Sequence, residues 1–376
     1  MRFNSDRPGF PAGSVRVEMP LPIDHPSHAL SESPYLRACR RLQVSHVPVW
    51  FQRQAGRSLP EYRAIRGEGS ILDAIEDSSL AAEITMQPVR RYGVDAAILF
   101  SDIVVPVNAV GFTIDVVPGV GPTASQPFRR KADLQRLRNL EPPVDTPYVL
   151  ETVKELVRNL DVPLIGFAGA PFTVASYLIE GQPSRTHAKT KSLMHSEPGV
   201  WHDLMSRLTD IAVASMRSQV LAGASAVQLF DSWAGALSAT DYKNFVFPHS
   251  QRVFDELADL EVPRAHFGLG TAEILSLMSE AGADVVGADW RVPIDEVRRR
   301  VGSEKAVQGN LDPALCLSDW PVVEKQARAI LQAAGGLPGH IFNLGHGVLP
   351  ETDPAILEML VALVHNEGPQ LGSSPS

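Results

Sequence analysis

Eight short, nearly unbroken apolar runs, each followed by a longer amphipathic stretch, constrain this chain more than any other feature. The runs span Val47 to Phe51, Ala96 to Phe100, Pro163 to Gly169, Ala226 to Asp231, Arg264 to Gly270, Val285 to Asp289, Ala306 to Leu311 and His340 to Gly345. They do not alternate apolar with polar residues, which is the pattern of parallel strands covered on both faces. Helical periodicity fills the gaps over Leu80 to Tyr92, Pro147 to Leu160, Trp201 to Leu221, Phe247 to Leu260, Ala272 to Ala281, Ile294 to Val301 and Val322 to Ala334. A last helical pattern, Pro354 to His365, follows the eighth run. Strand and helix repeated in this order favour a single α/β barrel of the (β/α)8 TIM type over a doubly wound sheet. A count of seven or nine strands fits the same pattern. No repeat of fixed period and no central linker divides the chain, so one barrel domain is expected over residues 34–367.

The ends differ in character. The stretch from Met1 to Ser33 carries Pro8, Pro11, Pro20, Pro22 and Pro26 and lacks the apolar core of a secretory signal. It is expected to be a flexible N-terminal extension, 1–33, with a Gly/Pro/Ser tail over 368–376 at the other end. Hydrophobic content of 44% and charged content of 20% suit a soluble globular protein. No apolar run approaches the eighteen or so residues of a membrane span. Cys39 and Cys316 build no disulfide framework and fit a reducing cytoplasm, where each reads as a small buried residue. A net charge of -9 argues against a sequence-independent nucleic-acid binder. It leaves room for an anionic small-molecule substrate, because the charge of a site can oppose that of the whole.

In such barrels the chemistry gathers where strands end. After the first run come Arg53, Gln54, Ala55, Gly56 and Arg57; after the second, Ser101 and Asp102. Gly169-Ala170-Pro171-Phe172-Thr173 follows the third and leads to Tyr177 and Glu180-Gly181, and the fourth ends in Asp231-Ser232-Trp233. Later ends give Gly268-Leu269-Gly270, Asp289-Trp290, Asn310-Leu311-Asp312 and Gly345-His346-Gly347. Two arginines four residues apart can aim two guanidinium forks into one cleft, each able to hold a carboxylate at two points. The plain alternative is a pair of rim salt bridges. Asp102 at a barrel mouth can accept substrate N–H groups or stabilise developing positive charge; otherwise it caps a helix. His346 is either an accessible ring on a loop that approaches a ligand or a turn histidine without a role. Tyr177 can donate to a carboxylate or belong to the core, and Ser232 can donate or cap. Singly each signal is weak, and their coincidence at strand ends carries the weight.

Among common motifs there is no G-x-G-x-x-G after the first strand, no G-x-x-x-x-G-K-[ST], no H-E-x-x-H and no C-x-x-C, so neither a nucleotide cofactor nor a motif-bound metal is expected. Gly119-Val120-Gly121 precedes Pro122 and reads as a loop.

Two segments are more specific. Pro48 to Tyr62, with Arg53-Gln54-Ala55-Gly56-Arg57 at its centre, resembles the N-terminal signature of uroporphyrinogen decarboxylases. Gly166 to Thr173, continuing through Tyr177 to Glu180-Gly181, resembles the second signature. The likeness extends over Gln87 to Ile103, Gln228 to Gly235, Gln308 to Pro313 and Asn343 to Gly347, and so over about Tyr35 to His365. Carried over by position, the family's substrate site falls on Arg53, Arg57, Asp102, Tyr177, Ser232 and His346, with Gln54, Ala55 and Gly56 on the same loop. Arg53, Asp102, Tyr177 and His346 take the catalytic places. Gln52 stands where a methionine is usual and Ser58 where a tyrosine or histidine is usual, departures at the expected rim.

The resemblance implies a cytoplasmic TIM-barrel homodimer of haem biosynthesis. It implies an enzyme that converts the four acetate arms of uroporphyrinogen III to methyl groups without a cofactor, giving coproporphyrinogen III. Two other readings stand beside it. One is a corrinoid- or thiol-linked methyltransferase of related fold, which would need zinc ligands from His and Cys near strand ends. The other is a catalytically silent tetrapyrrole-binding protein.

Overall fold

The computed structural model describes residues 21–67, 69–117 and 121–371. Among them seven strands form one parallel sheet: β1 Ala97–Ile98, β4 Leu164–Gly169, β5 Ala226–Asp231, β6 Arg264–Gly268, β7 Val285–Gly287, β8 Ala306–Gln308 and β9 His340–Ile341. They are hydrogen-bonded in chain order. The eighth stave is a single residue. Val49 makes a parallel bridge to Phe342, the amide of Phe342 donates to Pro48 O at 2.8 Å, and Asp95 N donates to Val49 O at 2.8 Å. The sheet therefore closes between β9 and β1, as a (β/α)8 barrel requires, and the expected eight staves are all present.

A second sheet is a correction to the sequence reading. β2 Ile114–Val117 and β3 Gly121–Ala124 pair antiparallel, with Val117 opposite Gly121. Gly121 thus opens a strand, while Gly119 and Val120 lie outside the described residues. The loop assignment overlooked how a polar-flanked run of four residues pairs once a turn brings its partner alongside.

Local chemistry starts and stops the helices. Pro147, Pro171, Pro198 and Pro354 each stand in a first turn, where the missing N–H costs nothing. In Ile294–Val301 the buried residues are Ile294, Val297 and Val301, with Asp295 and Glu296 in the first turn and Arg298 to Arg300 in the last. One apolar stripe and charges opposed to the helix dipole agree on the same segment. Pro171–Glu180 was absent from the sequence reading because it is apolar on every side, with nearly every residue buried.

The chain is held in place before Ser33. His25 is buried and its Nε2 lies 2.7 Å from Val220 O, and a short helix spans Pro26–Ala29. An extension loose through residue 33 is therefore too long; Met1–Pro20 lie outside the described residues. At the other end the last helix runs Pro354–Leu371, beyond the expected boundary at 367. No helix among the described residues is long and apolar enough to cross a membrane.

Inside the barrel a polar ladder lies beneath the mouth. Trp50 Nε1 donates to Gln308 Oε1 at 3.1 Å, and Gln308 Nε2 donates to Gln228 Oε1 at 3.1 Å. These bonds join staves that are not neighbours, so the three side chains fill the interior. Gln308 satisfies both partners, all of them buried. Gln308→Leu leaves an indole N–H and an amide oxygen unpaired, each costing about 1–3 kcal/mol. We expect a fall of roughly 2–4 kcal/mol in unfolding free energy, measured by urea denaturation, with the elution volume unchanged.

Candidate active site

The mouth is built from loops that leave the strands and lock into one another. A Cβ on Gly345 would lie 2.6 Å from Trp290 N, and one on Gly347 would lie 2.5 Å from Arg53 Cδ and 2.8 Å from its Cγ. The two glycines around His346 thus permit contacts on both sides, with the exit of β7 and with the stem of Arg53. Only a residue without Cβ fits there. Asp289, buried, knits the same rim. It accepts from Gly270 N and Arg291 N, and Asn310 Nδ2 donates to Asp289 O at 2.8 Å. Asp289 and Asn310 brace the loops.

Arg53 follows the one-residue stave with a φ of 55°, left-handed and uncommon for a side chain of its size. That conformation costs roughly 1–2 kcal/mol, and non-glycine residues held this way cluster at functional sites. The loop that holds it is pinned from below. Gln54 is fully buried, its Oε1 accepting from Phe51 N at 3.0 Å and its Nε2 donating to Ala96 O at 3.1 Å. Its side chain is committed to scaffold and is not brought to the mouth, in contrast to the substrate contact expected of it.

Asp102 is half-buried just past β1. Its Oδ1 accepts from Val104 N at 3.0 Å at the start of the short helix Val105–Ala109. The capping role and the site role therefore coexist: the amides of Val104 and Ile103 orient the carboxyl, and no side chain among the described residues hydrogen-bonds to it. Burial pushes the carboxyl above its ordinary range, and the Val104 amide and the Arg53 charge draw it back only in part. The Tyr177 phenol is raised well above its usual value, first by burial and then by the Asp102 charge, with Arg53 opposing. Its ring packs 3.9 Å from that of Trp233, centroid to centroid. Burial also depresses His346 to about 4, with the Arg53 charge acting in the same direction and Asp289 opposing. Its Nδ1 is buried without a partner.

Arg53 is thus the residue whose charge is felt by Asp102, Tyr177 and His346 together. These four the fold gathers. Arg57 is exposed on the same loop, and among the described residues neither guanidinium has a hydrogen-bond or ion-pair partner. Ala55 and Gly56 are half-buried between the two arginines. Ser232 is half-buried at the end of β5, beside Trp233. Ser58 does not shape the rim: it is buried, against Tyr92, and Gln52 is buried as well. Sequence reasoning placed Trp233 at a strand end without giving it a role and passed over Arg291, which lies in the loop after β7 and bears on the His346 charge. It also passed over the interior rings. Phe167 and Phe230 are half-buried and meet edge to face at 5.4 Å, giving the mouth apolar walls.

Comparison with known proteins adds to this geometry. The family described as uroporphyrinogen decarboxylase matches residues 30–367. The chain is 60% identical to the uroporphyrinogen decarboxylase of Salinispora tropica, covering 93% of each chain. It is 58% identical to that of Streptomyces griseus, over 92% of this chain and 94% of the relative. A solved methyltransferase from Methanosarcina mazei superposes with a TM-score of 0.76 at 20% identity, over 89% of this chain and 98% of the other. That likeness concerns the fold alone.

The depressed basicity of His346 is measurable. Because its pKa in the folded protein lies below the usual 6.5, the ring stays neutral down to about pH 4. The unfolded chain takes up this proton first, so His346 stabilises the fold above about pH 6.5 and progressively loses that effect as pH falls toward 4. An NMR titration should place its midpoint near 4, and Arg53→Met should move it upward by removing a like charge.

Proposed function

The chain belongs to the uroporphyrinogen decarboxylase family, and from that premise we propose how its residues remove the four acetate carboxylates of uroporphyrinogen III. The product is coproporphyrinogen III, the propionate arms being kept. The protein is an enzyme, a carboxy-lyase of tetrapyrrole biosynthesis. What carries the residue assignment is one observation: the Arg53 charge acts on Asp102, Tyr177 and His346 at a single mouth.

Loss of CO2 leaves an electron pair that needs a sink, which other decarboxylases borrow from a cofactor. Here the pyrrole serves. A proton added at a ring carbon gives a cation, and the C–C bond to the carboxylate breaks with its electrons flowing into that cation. A second proton at the exocyclic carbon makes the methyl group, and loss of the first restores the pyrrole. Each acetate thus consumes one proton net.

Arg53 and Arg57, whose guanidinium groups have no partner among the described residues, hold carboxylates by their forks. Asp102 turns its carboxylate to the pyrrole N–H groups and stabilises the cation as it develops, in surroundings where poor solvation strengthens the effect. Arg53 delivers the proton. His346, kept neutral, hydrogen-bonds beside it, and Tyr177 donates to a carboxylate. Phe167 and Phe230 offer apolar surface to the macrocycle.

The methyltransferase reading needs thiolate ligands. Cys39 and Cys316 are buried and burial pushes both thiols up to about 12, which keeps them protonated. Family membership further supports a homodimer working in the cytoplasm, with residues 34–367 as the catalytic unit.

Asp102→Asn and Asp102→Gly should each lower turnover of uroporphyrinogen by about 10²–10³, assayed anaerobically with chromatography of the oxidised products. Near-normal turnover in both removes Asp102 from the mechanism, and porphyrin binding by the wild type without CO2 release would favour the silent binding protein. Arg57→Lys keeps charge but loses the fork. It should weaken binding about tenfold and release more partly decarboxylated intermediates, and an unchanged product distribution would count against the clamp.

A further inference from the structure

At the end of the barrel opposite the mouth, three side chains from distant parts of the chain converge. His46 precedes the Val49 stave, Asp95 precedes β1, and His365 lies on the helix Pro354–Leu371. His46 Nε2 is 2.7 Å from Asp95 Oδ1 and His365 Nε2 is 2.8 Å from Asp95 Oδ2, with the two imidazole centroids 4.2 Å apart. One nitrogen from each ring and a carboxylate oxygen all lie within 4.8 Å of one another.

The surroundings prepare these atoms as ligands. Asp95 Oδ2 is fixed by Val49 N at 2.7 Å, so the carboxylate cannot swing away. Ser45 Oγ stands 3.1 Å from His46 Nδ1. With the His46 proton on Nδ1, Ser45 accepts it and the Nε2 lone pair is free to coordinate, the outer-sphere arrangement usual for metal-bound histidine. The last helix is seated firmly: one turn beyond His365, a Cβ on Gly368 would lie 2.7 Å from Val47 Cγ2. The histidine side chains are each 26% exposed and Asp95 9%, which leaves a path for an ion and a solvent-side position for water.

We infer that His46, Asp95 and His365 bind a first-row divalent cation of the zinc class, with water completing a four-coordinate shell. Two imidazoles and one carboxylate suit such an ion rather than a hard one such as magnesium or calcium. At zinc–ligand distances near 2.0–2.1 Å, tetrahedral donors stand about 3.3 Å apart. The two histidine–carboxylate contacts, at 2.7 and 2.8 Å, therefore open by roughly half an ångström as the ion replaces the shared protons. The bound ion ties the last helix to the two segments that close the barrel, a structural role remote from the chemistry.

The test is zinc titration of the metal-free full-length chain by calorimetry, with bound metal counted by elemental analysis. Wild type should take up one tight equivalent per chain. His46→Gln and His365→Gln should each weaken it at least tenfold while turnover of uroporphyrinogen stays within about twofold of wild type. The cobalt-loaded wild type should show the visible absorption of a four-coordinate site, and both variants should lack it. At a hundredfold excess over Kd, zinc should raise the wild-type Tm by about 3 °C. No uptake by wild type would overturn the proposal and leave a hydrogen-bonded clasp. The same equivalent retained in both variants would overturn it too, placing the ion elsewhere. If His365→Gln does not fold, His46→Gln, on a loop, makes the same comparison.

Discussion

The structure hangs on the closure of the barrel at Val49. One residue, bridged to Phe342 on one side through Pro48 O and Trp50 N and accepting from Asp95 N on the other, stands in for a whole strand. Because sheet hydrogen bonds are directional and staves sit about 4.8 Å apart, this closure brings the loop that begins at Gln52 beside the loop that ends the barrel. Arg53 and His346 are neighbours for that reason. Without the bridge, the first and last staves would be open edges and the mouth would have no complete wall.

Within the mouth, burial and charge act against each other on every titratable group. At Asp102 burial outweighs the Arg53 charge, so the carboxyl is raised even beside a guanidinium. At His346 burial and the same guanidinium agree, so the imidazole is held neutral. A site of this kind is poised for a substrate rich in carboxylates that becomes cationic during reaction. Among the described residues Arg53 and Arg57 have no carboxylate of their own, and the Asp102 carboxyl is half-buried past β1. The left-handed backbone at Arg53 and the bare glycines around His346 are the local cost of packing two loops so closely.

Much of this was legible from the residues in order. Each of the eight staves stood out because a strand covered on both faces is apolar throughout, and strand exits follow from chain direction alone. Less legible was anything whose partner is supplied by the fold. Pro171–Glu180 lacks a polar face because other elements cover every side of it. Ile114–Val117 is a strand only because Gly121–Ala124 folds back upon it. Gln54 stood among mouth residues in the sequence but turns its amide inward, because Phe51 N and Ala96 O need partners more than the solvent does.

By itself the sequence determined which chemical groups the chain possesses, where its strands run and which side chains follow their ends. These are properties of neighbours along the chain, set by periodicity and turn chemistry. Only the tertiary structure decided which of those ends share a space, and with it the altered acidity of Asp102 and Tyr177 and the neutrality of His346. It also decided the meeting of His46, Asp95 and His365. Desolvation and Coulomb interaction depend on distance through space, and residues far apart in the chain become close only when the barrel shuts.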